Sequence, residues 1–192
     1  IAKLGRRWFG HRFYVENIRE FNFDFPNLIT ASPINLKVYV AATSESNTSM
    51  ALKVNGSEVD SFTFSAMDNQ LLASEDFFNG TFNSNSETIS VELSYNNNSN
   101  PSASAYLDYI SIEAERSLTS LGTQFEFKHS DTATTSGIGM FTISNASSIN
   151  QVWDVTNPYE IQFYTNQNAE AEFSFKTNQG TLRTYQALGS DF

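Results

Sequence analysis

The side chains that most often act as nucleophiles and bases in hydrolysis are scarce in this sequence, which has two histidines and no cysteine. His129 is followed at once by Ser130 and Asp131, the three residue types of a catalytic triad. Neighbouring residues of an extended chain point to opposite faces, so these three side chains cannot hydrogen-bond in series. His11 lies among aromatic residues and is expected to face solvent or a neighbouring strand. Because a thiolate is also absent, we predict no catalytic residue in this chain.

Closely spaced carboxylates raise the alternative of a glycosidase, which needs two carboxyl groups facing each other across a cleft. Acidic residues outnumber basic ones by 21 to 11, so neighbouring acids are expected anywhere on the surface. We therefore interpret the acidic pairs as surface residues: Glu75 with Asp76, Glu58 with Asp60, and Glu113 with Glu115.

Calcium is the metal that these side chains would suit, because it prefers carboxylate and carbonyl oxygens. Asp24, Asp68 and Asp108 lie at predicted strand ends or in loops. Calcium stays an open alternative, although the sequence lacks a dense Asp-x-Asp loop. No metal-binding or cofactor-binding residue is assigned.

Aromatic side chains on the face of a β-sandwich could stack against sugars, as they do in carbohydrate-binding modules. Aromatic residues make up 14% of the chain, and most of those at alternate strand positions are expected in the core. The candidates for an exposed sugar platform are Trp8, Tyr14, Tyr39, Tyr95, Tyr106 and Tyr109.

The formal charge of −10 disfavours nucleic acid and anionic lipid as partners, since both attract clustered Lys and Arg. No apolar run approaches the roughly 18 residues that span a bilayer. One basic cluster is expected to be a solvated strand edge, with a docking patch as the alternative; it comprises Lys3, Arg6, Arg7 and Arg12, around Trp8 and Phe9.

The elements that must position these residues are short strands, because apolar residues alternate in segments separated by Asn, Gly, Ser and Pro. Eight strands are predicted in the first part of the chain, the number of a jelly roll. Their bounds are 7–15, 20–25, 34–42, 50–54, 61–65, 75–82, 88–95 and 105–115. A single helical turn is expected at 66–72.

Three local signals refine this prediction. Asn55-Gly56 suits the positive φ values of a tight hairpin turn. The stretch NNNSNPSAS at 96–104 is too polar to bury and is expected to be an exposed loop. In the segment 105–116, alternation places Tyr106 and Ile110 on one face of a strand, and Leu107 and Tyr109 on the other.

The strand pattern resumes after Arg116, which predicts two domains, 1–116 and 117–192. The second is expected to be a small immunoglobulin-like sandwich. The linker SLTSLGT is expected to be packed rather than free, because it contains Leu118 and Leu121. The predicted strands of this part are 124–129, 137–144, 151–155, 159–164, 171–177 and 182–187.

Six motifs occur in an order that resembles the region upstream of the peptidase domain in PorU-type sortases, the gingipain-like cysteine peptidases of type IX secretion systems. They are RWFGHRFYVEN, FNFDFPNL, LKVNG, AYLDYISIEAERSL, QFEFKHS and QVWDVTNP. The resemblance covers essentially all 192 residues, and its most specific parts are VWDVTNP, LDYI and the aromatic-glycine start.

The resemblance implies a parent enzyme at the cell surface, or on the periplasmic side of the outer membrane, of a Gram-negative bacterium. Such an enzyme removes a C-terminal signal domain from secreted cargo and passes the cargo to an anionic lipopolysaccharide. Its gingipain-like domain supplies a cysteine nucleophile and a histidine base. This chain has no cysteine, so no catalytic residue is carried over to it. The start at Ile1, without Met or a secretory signal, leads us to expect a piece of a longer protein.

We therefore expect a non-catalytic region that positions a downstream peptidase domain and docks outer-membrane secretion components or cargo. The predicted interdomain or partner contacts are Trp8, Phe9, Trp153 and Asp154, with a place in the core as the alternative for each. The second hypothesis is a carbohydrate-binding module that recognises a surface glycan.

Overall fold

The structure, a computed structural model, describes residues 9–67 and 72–190, and they form an all-β protein with antiparallel sheets. This confirms the fold class predicted from the alternating pattern. The chain divides into two compact units, Ile1–Ser117 and Leu118–Phe192. None of the described residues belongs to a helix that is long and apolar enough to cross a membrane.

The first unit contains two four-stranded sheets, with strand orders β1-β8-β3-β6 and β2-β7-β4-β5. This order is that of a jelly roll: successive strands alternate between the two sheets, except that β4 and β5 are neighbours in one sheet. The strands are β1 (Arg12–Phe13), β2 (Ile18–Asp24), β3 (Ile34–Thr43), β4 (Thr48–Val54), β5 (Ser57–Phe64), β6 (Ser74–Phe82), β7 (Thr88–Asn96) and β8 (Ser104–Glu113).

The core of the first unit is mainly aliphatic and lies between these sheets. In β3, every second side chain from Ile34 to Ala42 reaches this core, and those between face outward and are more exposed, apart from the buried Ala41. Burying such a side chain contributes roughly 1.5–3 kcal/mol. The fully buried members include Ile34, Leu36, Val40, Met50, Leu52, Ile89, Val91 and Leu93.

A β-bulge interrupts the alternation of β8 and corrects the prediction for its two faces. Tyr39 pairs with Tyr109 and Val40 pairs with Leu107, so Asp108 is an extra residue in β8. Leu107 and Ile110 therefore both pack on the core, while Tyr106 and Tyr109 both face outward. The prediction that Tyr106 and Ile110 share one face of the strand was wrong, because strict alternation does not continue across a bulge.

Several predicted strand ends differ from the structure. In the described part of 7–15, the strand covers only Arg12–Phe13, whereas β5 begins at Ser57, directly after the hairpin turn. The helical turn expected at 66–72 lies largely outside the described residues.

The turn between β4 and β5 is a two-residue hairpin in which Asn55 has φ 48° and Gly56 has φ 79°. Both values lie in the left-handed region, which confirms the predicted tight turn. The Asn55 side chain also accepts a hydrogen bond from the Ser90 backbone N–H at 2.9 Å and donates to Ser84 Oγ at 3.1 Å. Asn55 thus ties the hairpin to β7 and to the loop before it.

Replacing Asn55 tests both roles of this residue. Asn55→Ala should lower the free energy of unfolding by about 2–3 kcal/mol, because it removes two hydrogen bonds and replaces Asn with Ala, which tolerates the left-handed region less well. Asn55→Gly loses the same hydrogen bonds but tolerates the backbone, so its loss should be about 1 kcal/mol smaller. Urea unfolding of the three proteins measures both differences, and equal losses would contradict the backbone contribution.

The second unit has a four-stranded sheet of order β12-β11-β14-β9 and a two-stranded sheet β10-β13. The pairs β10-β13 and β11-β14 correspond to the central B–E and C–F pairs of immunoglobulin-like sandwiches. The elements are β9 (Gln124–Lys128), a short 3-10 helix (Ser130–Ala133), β10 (Ile138–Ser144), β11 (Gln151–Asp154), β12 (Gln162–Thr165), β13 (Glu172–Asn178) and β14 (Thr184–Leu188).

Aromatic side chains from both sheets build the core of the second unit. Phe127 of β9 lies against Phe141, Phe175 and Tyr185, with ring centroids 5.3 to 6.4 Å apart. The Tyr185 hydroxyl donates to Thr177 Oγ1 at 3.0 Å inside this core. Burial raises the pKa of Tyr185, against the opposing effect of the Thr177 hydrogen bond.

The segment 117–123 is packed at its start, as its leucines predicted. Leu118 packs against the second core. Its carbonyl accepts from the Ser144 backbone N–H at 3.0 Å, and the Ser120 N–H donates to the Ser144 carbonyl at 2.9 Å. Leu121, by contrast, is exposed. The beginning of the second unit is therefore held beside the end of β10.

Candidate functional site

Three aromatic rings form a row across the outer face of the sheet β1-β8-β3-β6. Tyr39 of β3 pairs with Phe77 of β6 on one side and with Tyr109 of β8 on the other. The ring centroids of Tyr39 and Phe77 are 6.4 Å apart with planes 10° from parallel, and those of Tyr39 and Tyr109 are 6.2 Å apart at 20°. Phe77 is 63% exposed and Tyr109 44% exposed. We call these three residues the aromatic row.

The bulge at Asp108 determines the place of Tyr109 in this row. If β8 continued from the Val40–Leu107 pair without a bulge, Asp108 would pair with Tyr39, and Tyr109 would pair with the inward-facing Val38. Of the three residues, sequence reasoning identified Tyr39 and Tyr109 but not Phe77. The sequence could have indicated Phe77 through alternation, because neighbouring residues of its strand, such as Phe78, pack on the core and Phe77 must then face outward.

Two further aromatic residues extend the outer face toward β1. Tyr106 pairs with Arg12, and its ring lies 6.3 Å from that of Phe9 at a tilt of 60°. The Arg12 guanidinium lies over the ring of Tyr14, 4.5 Å from its centroid. Phe9, a predicted contact residue, is thus half-buried beside Tyr106 at one edge of this face.

Two aromatic candidates remain, Trp8 and Tyr95. Trp8 lies outside the described residues. Tyr95 is buried in the core beside Phe64, with ring centroids 6.5 Å apart, so the expectation that it is available to a sugar was wrong. Burial raises the pKa of its phenol.

Polar side chains form the next row of the same face. Lys37 of β3 pairs with Ser111 of β8 and with Asn79 of β6, and all three face outward. They offer an ammonium, a hydroxyl and an amide directly beside the aromatic row. The face therefore combines exposed aromatic surface with hydrogen-bonding groups.

An exposed aromatic pair lies on the outer face of the larger sheet of the second unit. Trp153 of β11 pairs with Phe163 of the edge strand β12. Phe163 is 62% exposed, and Trp153 is half-buried with its indole N–H donating to Gln151 Oε1 at 2.9 Å. We call these two residues the Trp153 patch.

Asp154, the predicted contact next to Trp153, points to the inside and is only 4% exposed. Its Oδ2 lies 2.5 Å from Nη1 of Arg183, and its Oδ1 accepts from the Thr156 backbone N–H at 3.1 Å. Burial raises the pKa of Asp154, but the hydrogen bonds from Thr156 and Arg183, together with the Arg183 charge, outweigh this. The pKa therefore lies below its ordinary value of 3.8.

The segment around His129 adopts a turn, not the extended backbone assumed from its sequence. His129 precedes the 3-10 helix, and its Nδ1 accepts from the Asp131 backbone N–H at 3.3 Å. The ring is therefore engaged with the backbone at Nδ1. His11 is exposed and packs edge-on against Phe21, with centroids 5.1 Å apart.

Two of the candidate carboxylates are engaged in hydrogen bonds within the first unit. Asp76 accepts from the backbone N–H groups of Thr63 and Phe77, and Glu115 accepts from the Ser32 hydroxyl. Among the acids considered for calcium, Asp24 accepts from Thr88 Oγ1 at 2.7 Å in one sheet, while Asp108 lies in the other. Asp68 is outside the described residues. The structure does not bring Asp24 and Asp108 into a common site.

Comparison with known proteins gives a fold relationship. No protein-family model and no curated protein matches the sequence. Two carbohydrate-binding modules of the CBM36 type have TM-scores below 0.5. The module in complex with calcium and xylotriose has a TM-score of 0.38, with 16% identity, and the match covers 53% of this chain and 78% of that one. The CBM36-1 domain of a multidomain xylanase from the hindgut metagenome of Trinervitermes trinervoides has 0.39, with 15% identity, over 58% of this chain and 89% of that one.

The crystal structure of dimeric latent PorU from Porphyromonas gingivalis is similar over 96% of this chain, with a TM-score of 0.78 and 19% identity. This chain spans 18% of the length of that PorU chain. The chain therefore has the fold of a PorU-like β-sandwich region.

Proposed function

We propose that this chain is the non-catalytic β-sandwich region of a type IX secretion sortase-like cysteine peptidase. In this role it positions a downstream peptidase domain and docks outer-membrane secretion components or secreted cargo. The parent would act at the cell surface or on the periplasmic side of the outer membrane of a Gram-negative bacterium.

The observation that carries this proposal is the fold match with PorU over 96% of the chain. The order of sequence motifs supports the same relationship independently of the coordinates. The absence of cysteine is compatible with a catalytic centre elsewhere in the parent, because the nucleophile of such peptidases is a thiolate.

The Trp153 patch is our proposed partner contact in the second unit. Aromatic residues are enriched at protein interfaces because they contribute a large contact area at low cost in conformational entropy. Phe163 lies at the sheet edge, where a partner can reach it. The buried Asp154 would act indirectly, by holding the end of β11 through Arg183. In the first unit, Trp8 and Phe9 are the corresponding proposed contacts.

The proposal is tested in the intact parent by Phe163→Asp, which places a charge in the Trp153 patch. If the patch docks a partner, signal removal from cargo should slow by about tenfold or more, as for an interface hot spot. The matched control is Ile138→Asp, since Ile138 is 71% exposed on a strand of the other sheet of the same unit. The control should process cargo normally.

Deletion of residues 1–117 from the parent tests the wider role. Impaired surface delivery or signal removal is expected, with the peptidase domain still folded by circular dichroism. Normal processing by both the deletion and the Phe163→Asp variant would refute the positioning and docking role.

A second candidate function is carbohydrate binding, as a module that recognises a cell-surface glycan. The specific observation that favours it is the aromatic row, with its neighbouring polar side chains, on the outer face of the jelly roll.

A further inference from the structure

We infer that the aromatic row of Phe77, Tyr39 and Tyr109 is a binding site for a neutral oligosaccharide chain lying across the strands. This inference rests on the second candidate function, carbohydrate binding. It adds the place of the site, the direction of the ligand and its charge.

The aromatic row has a regular, elongated shape. Its three rings come from adjacent strands in direct register, and their planes lie within 10° and 20° of one another. The row crosses two inter-strand spacings, a span of about 10 Å. It therefore presents a narrow, elongated apolar strip perpendicular to the strands.

Such a strip matches the chemistry of a sugar chain. The faces of pyranose rings carry C–H groups that pack on aromatic faces, while their edges carry hydroxyl groups. The row supplies the first contact, and Lys37, Ser111 and Asn79 can supply hydrogen bonds to the second. An extended sugar chain matches both features, because its successive rings can occupy successive aromatic residues.

The width of the strip argues against a protein partner. A stable protein interface buries about 800 Å² on each side around an apolar centre. Here the strip is bordered on one side by the polar row of Lys37, and on the other by a mixed row that contains the exposed carboxylate of Glu75 as well as Ala41 and Tyr106. Such a strip fits a linear ligand better than a flat protein surface.

Charge selects among linear ligands. Single-stranded nucleic acid also stacks on aromatic rows, but it needs a positively charged groove. This chain has a net charge of −10, and the sheet face that carries Lys37 also carries the exposed acids Glu75 and Glu113. A polyanion, whether nucleic acid or acidic polysaccharide, is thus disfavoured. A neutral glycan carries no such penalty.

The test uses the 192-residue chain and affinity electrophoresis in gels containing xylan, mannan, β-glucan or galactan, with alginate as the polyanion. Retardation by at least one neutral polysaccharide is expected. Replacing both Phe77 and Tyr109 with alanine should weaken that binding by about tenfold or more. Phe77→Tyr should retain it, because the aromatic face is kept. Binding should be the same with calcium and with EDTA, since the row contains no metal ligand.

The matched control is Ile18→Ala, because Ile18 is an equally exposed apolar residue at 62% on the other sheet of the unit. It should bind like the wild type. Circular dichroism checks that the double variant is folded, and if it is not, Phe77→Ser alone replaces it.

The outcomes separate the site from the function. If neutral glycan binds but the folded row variants bind it equally well, the inferred site is wrong while carbohydrate binding stands. If only alginate binds, the inferred ligand class is wrong. If none of the five polysaccharides binds, both the site and the second candidate function are overturned, and the proposed relationship to the sortase is unaffected.

Discussion

Phe127→Ala should lower the free energy of unfolding of the second unit by about 3–5 kcal/mol. Phe127 is 8% exposed and contacts Phe125, Phe141, Phe175 and Tyr185. Truncation would leave a cavity at the centre of the aromatic core, between both sheets. A unit of this size has a total stability of about 4–11 kcal/mol, so the variant should be close to unfolding.

Trp153 provides the measurement, because it is half-buried in the second unit. In a Trp8→Phe background it becomes the only tryptophan of the chain, so its fluorescence during urea unfolding reports on this unit. The matched control is Phe163→Ala, which removes the same side chain from an exposed position and should change stability by less than about 0.5 kcal/mol. Similar losses for the two variants would contradict the central role of Phe127.

The alternation of apolar residues was sufficient to predict most of the fold. It identified all eight strands of the jelly roll and six strands of the second unit, because one face of each sheet is buried and the other is wet. Local turn chemistry was equally informative at Asn55-Gly56. The polar stretch 96–104 is mostly a loop between β7 and β8, closed by Asn side chains that accept from nearby backbone N–H groups, but its end is not exposed as predicted, since Ala103 and Ser104 are buried.

The features that sequence reasoning missed depend on register or on distant partners. The bulge at Asp108 leaves no sign in the alternation until β3 and β8 are paired. Phe77 joins the aromatic row only because it pairs with Tyr39, 38 positions earlier in the chain. Similarly, Trp153 and Asp154 were treated as one exposed contact, although alternation places them on opposite faces. The partner of Asp154, Arg183, lies in a loop beyond β13, and its proximity follows only from the fold.

The ion pair between Asp154 and Arg183 gives the second large effect. Arg183→Met should destabilise the second unit by about 3 kcal/mol, because it leaves a buried carboxylate without its cation. Asp154→Asn should cost less, about 1–2 kcal/mol, because the guanidinium that loses its partner has 28% of its side chain exposed and can be solvated. Trp153 fluorescence in the Trp8→Phe background measures both losses. Equal losses would contradict the assignment of the burial cost to the carboxylate.

The dependence on pH tests the same pair through its charge. The pKa of Asp154 is lowered in the folded state from an ordinary value of 3.8. The unfolded chain therefore binds a proton at Asp154 more readily than the folded chain does, so acidification favours unfolding. The stabilisation that the charged carboxylate gives is complete only above about pH 5. Asp154→Asn lacks this titration. The stability difference between the wild type and Asp154→Asn should therefore shrink as the pH falls from 7 toward 3, and a constant difference would show that the carboxylate charge does not stabilise the fold.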